Sequence, residues 1–116
     1  MLDGDATRYE DESSKERTVQ VPNRLGLHAR PAAEFVKLSS RFESKIRVEK
    51  EGLEVNGKSI MGVMMLAAEF GSFLRIVAVG PDSADAVAAL SDLVATGFGE
   101  NESDYVDPSD GEVATA

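Results

Sequence analysis

Lys45-Ile46-Arg47-Val48-Glu49-Lys50-Glu51-Gly52-Leu53-Glu54-Val55 alternates apolar and charged side chains through two short runs that meet at Glu51-Gly52. Period-two alternation marks a strand with one buried face, and a glycine-bearing turn between two such runs marks a hairpin. A sheet whose strands are apolar on one side only is antiparallel and covered on one face. Downstream, Asn56-Gly57 supplies a second turn, and Ser59 stands at the N-cap position ahead of Ile60–Ala68, a short helix that is apolar on nearly all sides. Phe73 to Val79 alternates again, with Leu74, Ile76 and Ala78 on one face and Phe73, Arg75, Val77 and Val79 on the other, and Gly80-Pro81 closes it. Asp82 is the expected N-cap of a third helix through Phe98, with Val87, Leu90 and Val94 as its stripe. Upstream, Thr18-Val19-Gln20-Val21 reads as a first strand ending at Pro22. Ala29 to Phe42 reads as a first helix, with Ala32, Phe35, Val36 and Phe42 on its apolar face. The order βαββαβα predicts an α+β fold, an open-faced two-layer sandwich of a four-stranded antiparallel sheet covered on one face by three helices.

Charge separates this domain from its flanks. The chain has 116 residues, no cysteine and a net charge of −9. Residues 1–17 carry six acids and three bases, residues 99–116 carry six acids and no base, and Thr18 to Phe98 balances nine against nine. The expected organisation is therefore an acidic N-terminal extension over 1–17, a neutral domain over 18–99 and an acidic tail over 100–116, since blocks of like charge usually stay solvated. Lack of cysteine removes thiolate metal sites and cysteine nucleophiles and suits a reducing compartment. Met1-Leu2-Asp3-Gly4-Asp5 has neither the basic nor the apolar region of a secretory signal, and the apolar run Ile60–Ala68 is too short to span a bilayer. A cytoplasmic location is therefore expected, with no membrane insertion. An acidic chain without a basic patch is a poor nucleic-acid ligand.

His28, the only histidine, stands where a glycine-containing loop enters the first helix. A helix N-terminus directs backbone N–H groups and the positive end of its dipole at whatever lies ahead, which favours anions. Arg30 adds a guanidinium suited to phosphate oxygens. Imidazole is substantially uncharged near neutral pH and so has a nucleophilic nitrogen. A neutral nucleophile beside an arginine and a helix N-terminus is equipped to accept a phosphoryl group. On spacing alone, a surface or capping histidine explains the same position.

Asn23-Arg24-Leu25-Gly26-Leu27-His28-Ala29-Arg30-Pro31-Ala32 resembles the active-site segment of the HPr family, the histidine phosphocarriers of the bacterial phosphoenolpyruvate-dependent phosphotransferase system. Asn56-Gly57-Lys58-Ser59-Ile60-Met61-Gly62-Val63-Met64 resembles the family's second signature, whose serine is a regulatory phosphorylation site in some bacteria. The histidine and serine lie 31 residues apart, within the element order the family has, and the resemblance covers about Thr18 to Phe98. It implies a carrier, not an enzyme, with no metal or cofactor. His28 would take a phosphoryl group on Nδ1 from enzyme I and pass it to a IIA protein or domain, in sugar uptake or a nitrogen-type regulatory branch. Arg30 and the N–H groups of Ala29 and Arg30 would stabilise the group in transit. The implied state is a monomer.

Ser59 as an N-cap contributes about 0.5 to 2 kcal/mol relative to alanine. The resemblance adds a possible HPr serine kinase/phosphorylase as a partner, and a phosphoserine is electrostatically tolerated at a helix N-terminus. A short helix on one side of a sheet buries one stripe, so some of its apolar residues are left exposed, as partner surfaces commonly are; the resemblance implies that this helix and the histidine segment form a shared partner face, with Ile60, Met61 and Met64 as its expected contacts and Arg24 and Arg30 at its edge. Two alternatives remain at this level. One is a regulatory protein-binding module controlled through Ser59 without relay duty, against which the intact His28-Ala29-Arg30-Pro31 argues. The other is an unrelated α+β domain, in which His28 would be buried or Arg30 turned away.

Overall fold

The computed structural model describes residues 13–99. The chain forms β1 (Ser14–Gln20), α1 (Ala29–Ser39), β2 (Lys45–Lys50), β3 (Leu53–Asn56), α2 (Ile60–Met65), β4 (Phe73–Val79), α3 (Ser83–Ala95) and a 3-10 turn (Gly97–Gly99). The four strands make one antiparallel sheet in the order β1-β4-β2-β3. This is the predicted open-faced α+β sandwich.

Alternation places the core. Leu74, Ile76 and Ala78 of β4, Ile46 and Val48 of β2 and Val55 of β3 are buried, and they pack with Ala32 and Phe35 of α1, Val63 of α2 and Val87, Leu90 and Val94 of α3. The other sheet face is open. There Phe73 is 61% exposed, while Arg75 donates to Glu16 on β1 at 2.8 Å and to Glu49 on β2 at 3.0 Å, bridging three strands. Glu51 and Gly52 both take positive φ, 50° and 88°, the requirement of the tightest hairpin turn, whose twist matches its strands.

Several boundaries differ from the sequence reading for identifiable reasons. β1 starts at Ser14, four residues before Thr18, with Ser14 opposite Val79 and Arg17 opposite Ile76. Lys15, Glu16 and Arg17 are exposed because β1 is an edge strand, so the run shows no alternation. The remainder of the acidic flanks, residues 1–12 and 100–116, lies outside the described residues. Helix α1 ends at Ser39, not Phe42: the N–H groups of Arg41 and Phe42 turn back to the carbonyls of Leu38 and Ser39, three residues behind, a tightening common at helix ends. Helix α2 has six residues where nine were expected. Ala67, at φ 49°, breaks it, and Leu66 and Ala68 are buried beyond its end. Helix α3 stops at Ala95 because Gly97 and Phe98 are left-handed, at φ 75° and 61°, which folds Phe98 back into the core. Asp82 precedes α3 but does not cap it with its side chain. Its carboxylate instead accepts from the Glu43 and Ser44 N–H groups and the Ser44 hydroxyl. Among the described residues, no helix is long and apolar enough to cross a membrane.

Candidate functional site

The loop from Pro22 to Leu27 presents His28 at the start of α1, and its shape comes from three anchors. The Asn23 side-chain amide donates to the Gly26 carbonyl at 2.8 Å. Leu27 N–H donates to the Ala68 carbonyl at 2.9 Å. Gly26 sits at φ 68° so close to the chain after α2 that a Cβ there would stand 2.5 Å from the Ala68 oxygen. Glycine is required at that position by both conformation and space.

His28 is the N-cap residue of α1, in extended conformation, and is half-buried. Its carbonyl accepts the first helical bond, from Ala32 N–H at 3.0 Å, but its imidazole makes no capping bond. Pro31 contributes to this. A capping side chain accepts from the second or third helical N–H, and Pro31 at the third position has none. The donors that α1 directs outward at this end are the N–H groups of Ala29 and Arg30. The first turn holds no acid, so no carboxylate in that turn competes with an arriving anion. Ala29, Arg30 and Arg24 are exposed. His28 is thus not fully buried, as it would be in the alternative of an unrelated domain.

Ser59 caps α2 as the sequence predicted: its hydroxyl accepts from Gly62 N–H at 3.0 Å. The turn before it is tied to the end of α1 and the turn that follows: the Ser39 hydroxyl donates to the Gly57 carbonyl at 2.6 Å and Lys58 Nζ donates to the Phe42 carbonyl at 2.6 Å. Lys50 Nζ donates to the Leu66 carbonyl at the far end of α2, where a cation opposes the negative end of the helix dipole. Helix α2 therefore has Ser59 at one end and the His28 loop bound just beyond the other.

Ile60, Met61 and Met64 are exposed, Met61 to 76%. The sequence reading passed over Met65, Leu25 and Phe70, which are also exposed. Leu25 lies in a glycine-containing loop next to the charged Arg24, a setting that signals such exposure, whereas nothing in the run Met64-Met65-Leu66 tells the exposed methionines from the buried leucine.

Comparison with known proteins agrees with this geometry. The family described as "PTS HPr component phosphorylation site" matches residues 15–96. The phosphocarrier protein HPr of Treponema pallidum is 50% identical over 84 residues, which are 72% of this chain and 96% of that protein. The HPr-like protein Crh of Halalkalibacterium halodurans is 48% identical over 75 residues, 65% of this chain and 89% of its own length. The crystal structure of HPr-C-His from Thermoanaerobacter tengcongensis superposes with a TM-score of 0.72 at 48% identity, covering 75% of this chain and 98% of that one. With a family match across the sheet and all three helices, relatives this similar and the same sandwich, the chain belongs to the HPr family of phosphotransferase-system phosphocarriers.

Proposed function

We propose that His28 is the phosphoryl acceptor and donor of this carrier, loaded by phosphorylated enzyme I and unloaded by a IIA protein or domain. The observation that carries the reading is the imidazole at the N-cap of α1 that does not cap it. Nδ1 occupies the place on its side chain that a capping oxygen has on asparagine, one bond beyond Cγ, so a group attached there is within reach of the N–H groups of Ala29 and Arg30. The lone pair of Nδ1 attacks phosphorus, the new N–P bond forms as the donor's bond to phosphorus breaks, and the electron pair leaves with the donor. Transfer to the acceptor is the same step in reverse. Such chemistry needs positioning and charge stabilisation more than covalent help, and Arg30 and the helix terminus supply both. The exposed Ile60, Met61 and Met64 beside Arg24 and Arg30 are the docking surface in this reading, and the whole acts as a monomer.

Ser59 is the regulatory site in the same scheme. A phosphate on it would add charge at the rim of the exposed α2 surface, which every partner would then have to desolvate. The similarity to Crh favours one second reading, a binding module governed through Ser59 without a relay. Incubation with phosphoenolpyruvate and enzyme I separates them. Acid-labile, base-stable phosphate on the native chain and none on His28→Ala supports the relay, and equal labelling of both, or none on the native chain, overturns it.

A further inference from the structure

Three of the chain's four methionines, Met61, Met64 and Met65, stand together on α2. Their spacing of three and four residues puts Met64 and Met65 one turn on from Met61, on the same side of the helix. All three are exposed, Met61 to 76%, Met65 to 66% and Met64 to 42%. Other residues hold the helix to the sandwich: Val63 is buried, as is Leu66 just past its end. The apolar core is built of valine, leucine, isoleucine, alanine and phenylalanine, with no methionine among the described residues. The chain also has no cysteine. Among the described residues, oxidisable sulfur is therefore confined to the solvent side of one six-residue helix.

We propose that Met61, Met64 and Met65 are a reversible oxidation site for peroxides, and that their sulfoxides weaken partner binding at this face while the fold stays intact. The proposal rests on the reading of α2 as the docking surface. A thioether lone pair attacks one peroxide oxygen. The S–O bond forms as the O–O bond breaks, the sulfur gives up two electrons, and with hydrogen peroxide the second oxygen leaves as water. Reversal takes two thiols of a sulfoxide reductase, which become a disulfide while the oxygen departs as water. The chain has no thiolate to consume the oxidant first. A sulfoxide is polar where the thioether was apolar. In the free chain its oxygen stays hydrated, because each of these side chains already faces solvent. In a complex that covers the helix, the same oxygen must give up its water, and an interface shaped for an apolar contact does not repay that loss. Oxidation at buried Val63 or Leu66 is not open to aliphatic side chains, so the contacts that hold α2 in place are spared.

The test treats the full chain with hydrogen peroxide and then removes the oxidant. Peptide mass should show one added oxygen each on Met61, Met64 and Met65, with Met64, the least exposed, slowest. The melting temperature should stay within about 4 °C of the untreated chain, the reach of a surface change in a domain this small. Calorimetric titration should show enzyme I bound about ten-fold more weakly, the effect of one polar group left unpaired in an interface. The two sulfoxide reductases, one for each epimer, should restore the affinity with dithiothreitol as the thiol source. The variant M61L/M64L/M65L, which keeps Met1, should lose no affinity on treatment relative to its own untreated form. Equal affinity before and after oxidation, a loss that the reductases do not reverse or that persists in the triple variant, or melting lowered beyond that range overturns the proposal. Labelling with phosphoenolpyruvate and enzyme I is run alongside. If His28 takes no phosphate but enzyme I still binds, the carrier reading fails and the titration alone decides the oxidation site; if the untreated chain does not bind enzyme I, both fall.

Discussion

The N–H of Leu27 donates to the carbonyl of Ala68 at 2.9 Å, which hangs the residue before His28 on the chain just past α2. Two segments some forty residues apart in sequence thus share one backbone bond at the working face, and Gly26 is what lets them approach. Gly26→Ala should destabilise the fold by more than about 1 kcal/mol, because alanine is strained at positive φ and its methyl would lie against the Ala68 oxygen. Chemical denaturation measures the loss, and loss of protection of the Leu27 amide from hydrogen exchange locates it.

Arg30→Ala should leave stability nearly unchanged, since the side chain is exposed and makes no part of the core. Phosphoryl transfer to His28 should slow by on the order of 100-fold, the usual effect of removing one donor aimed at developing negative charge. Rapid-quench labelling with phosphorylated enzyme I checks the rate, and Arg30→Lys should recover only part of it because an ammonium lacks the paired donors.

Ser59→Ala should cost about 0.5 to 2 kcal/mol through loss of the cap on Gly62 N–H. Ser59→Asp should keep most of that stability, as aspartate caps well, while weakening association with enzyme I. Denaturation and titration calorimetry on the two variants separate the cap from the charge.

Acid should loosen the contact between the α1–β2 connection and the start of α3. The Ser44 hydroxyl first, with the Glu43 and Ser44 N–H groups, holds the Asp82 carboxyl below the usual aspartate range; the Arg75 guanidinium does the same for Glu16. A carboxyl lowered in the folded state contributes stability that is present above its unfolded pKa and is lost as the pH falls through the lowered value. The melting temperature of the native chain should therefore drop on acidification below the ordinary carboxylate range. Asp82→Asn should melt lower at neutral pH and show a smaller further drop in acid.

Elements with one face in the core were legible residue by residue. β2 and β4 run over the predicted residues because Ile46 and Val48, or Leu74, Ile76 and Ala78, alternate with less buried neighbours. β1 was read short because an edge strand with both faces wet at Lys15, Glu16 and Arg17 carries no apolar period. The end of α2 was missed because Ala67 adopts a left-handed conformation that alanine composition does not announce. At the site, the histidine, the arginine and the serine cap were visible as residue types at helix starts. The Leu27–Ala68 bond was not, since a backbone contact between distant segments leaves no mark on side-chain pattern.

The bridge from Arg75 to Glu16 spans 59 residues of sequence, and the whole β1–β4 ladder joins segments about that far apart. During synthesis β1 emerges early, but β4, its neighbour in the sheet among the described residues, is made late, so the first strand waits for it while β2, β3 and the first two helices appear. Pairing that depends on such distant segments tends to be slow, and an unpaired strand is a hazard for association between nascent chains. Lys15, Glu16 and Arg17 give that waiting strand charged side chains on both faces, a property that discourages edge-to-edge aggregation and then, once β4 arrives, supplies the carboxylate that Arg75 clasps.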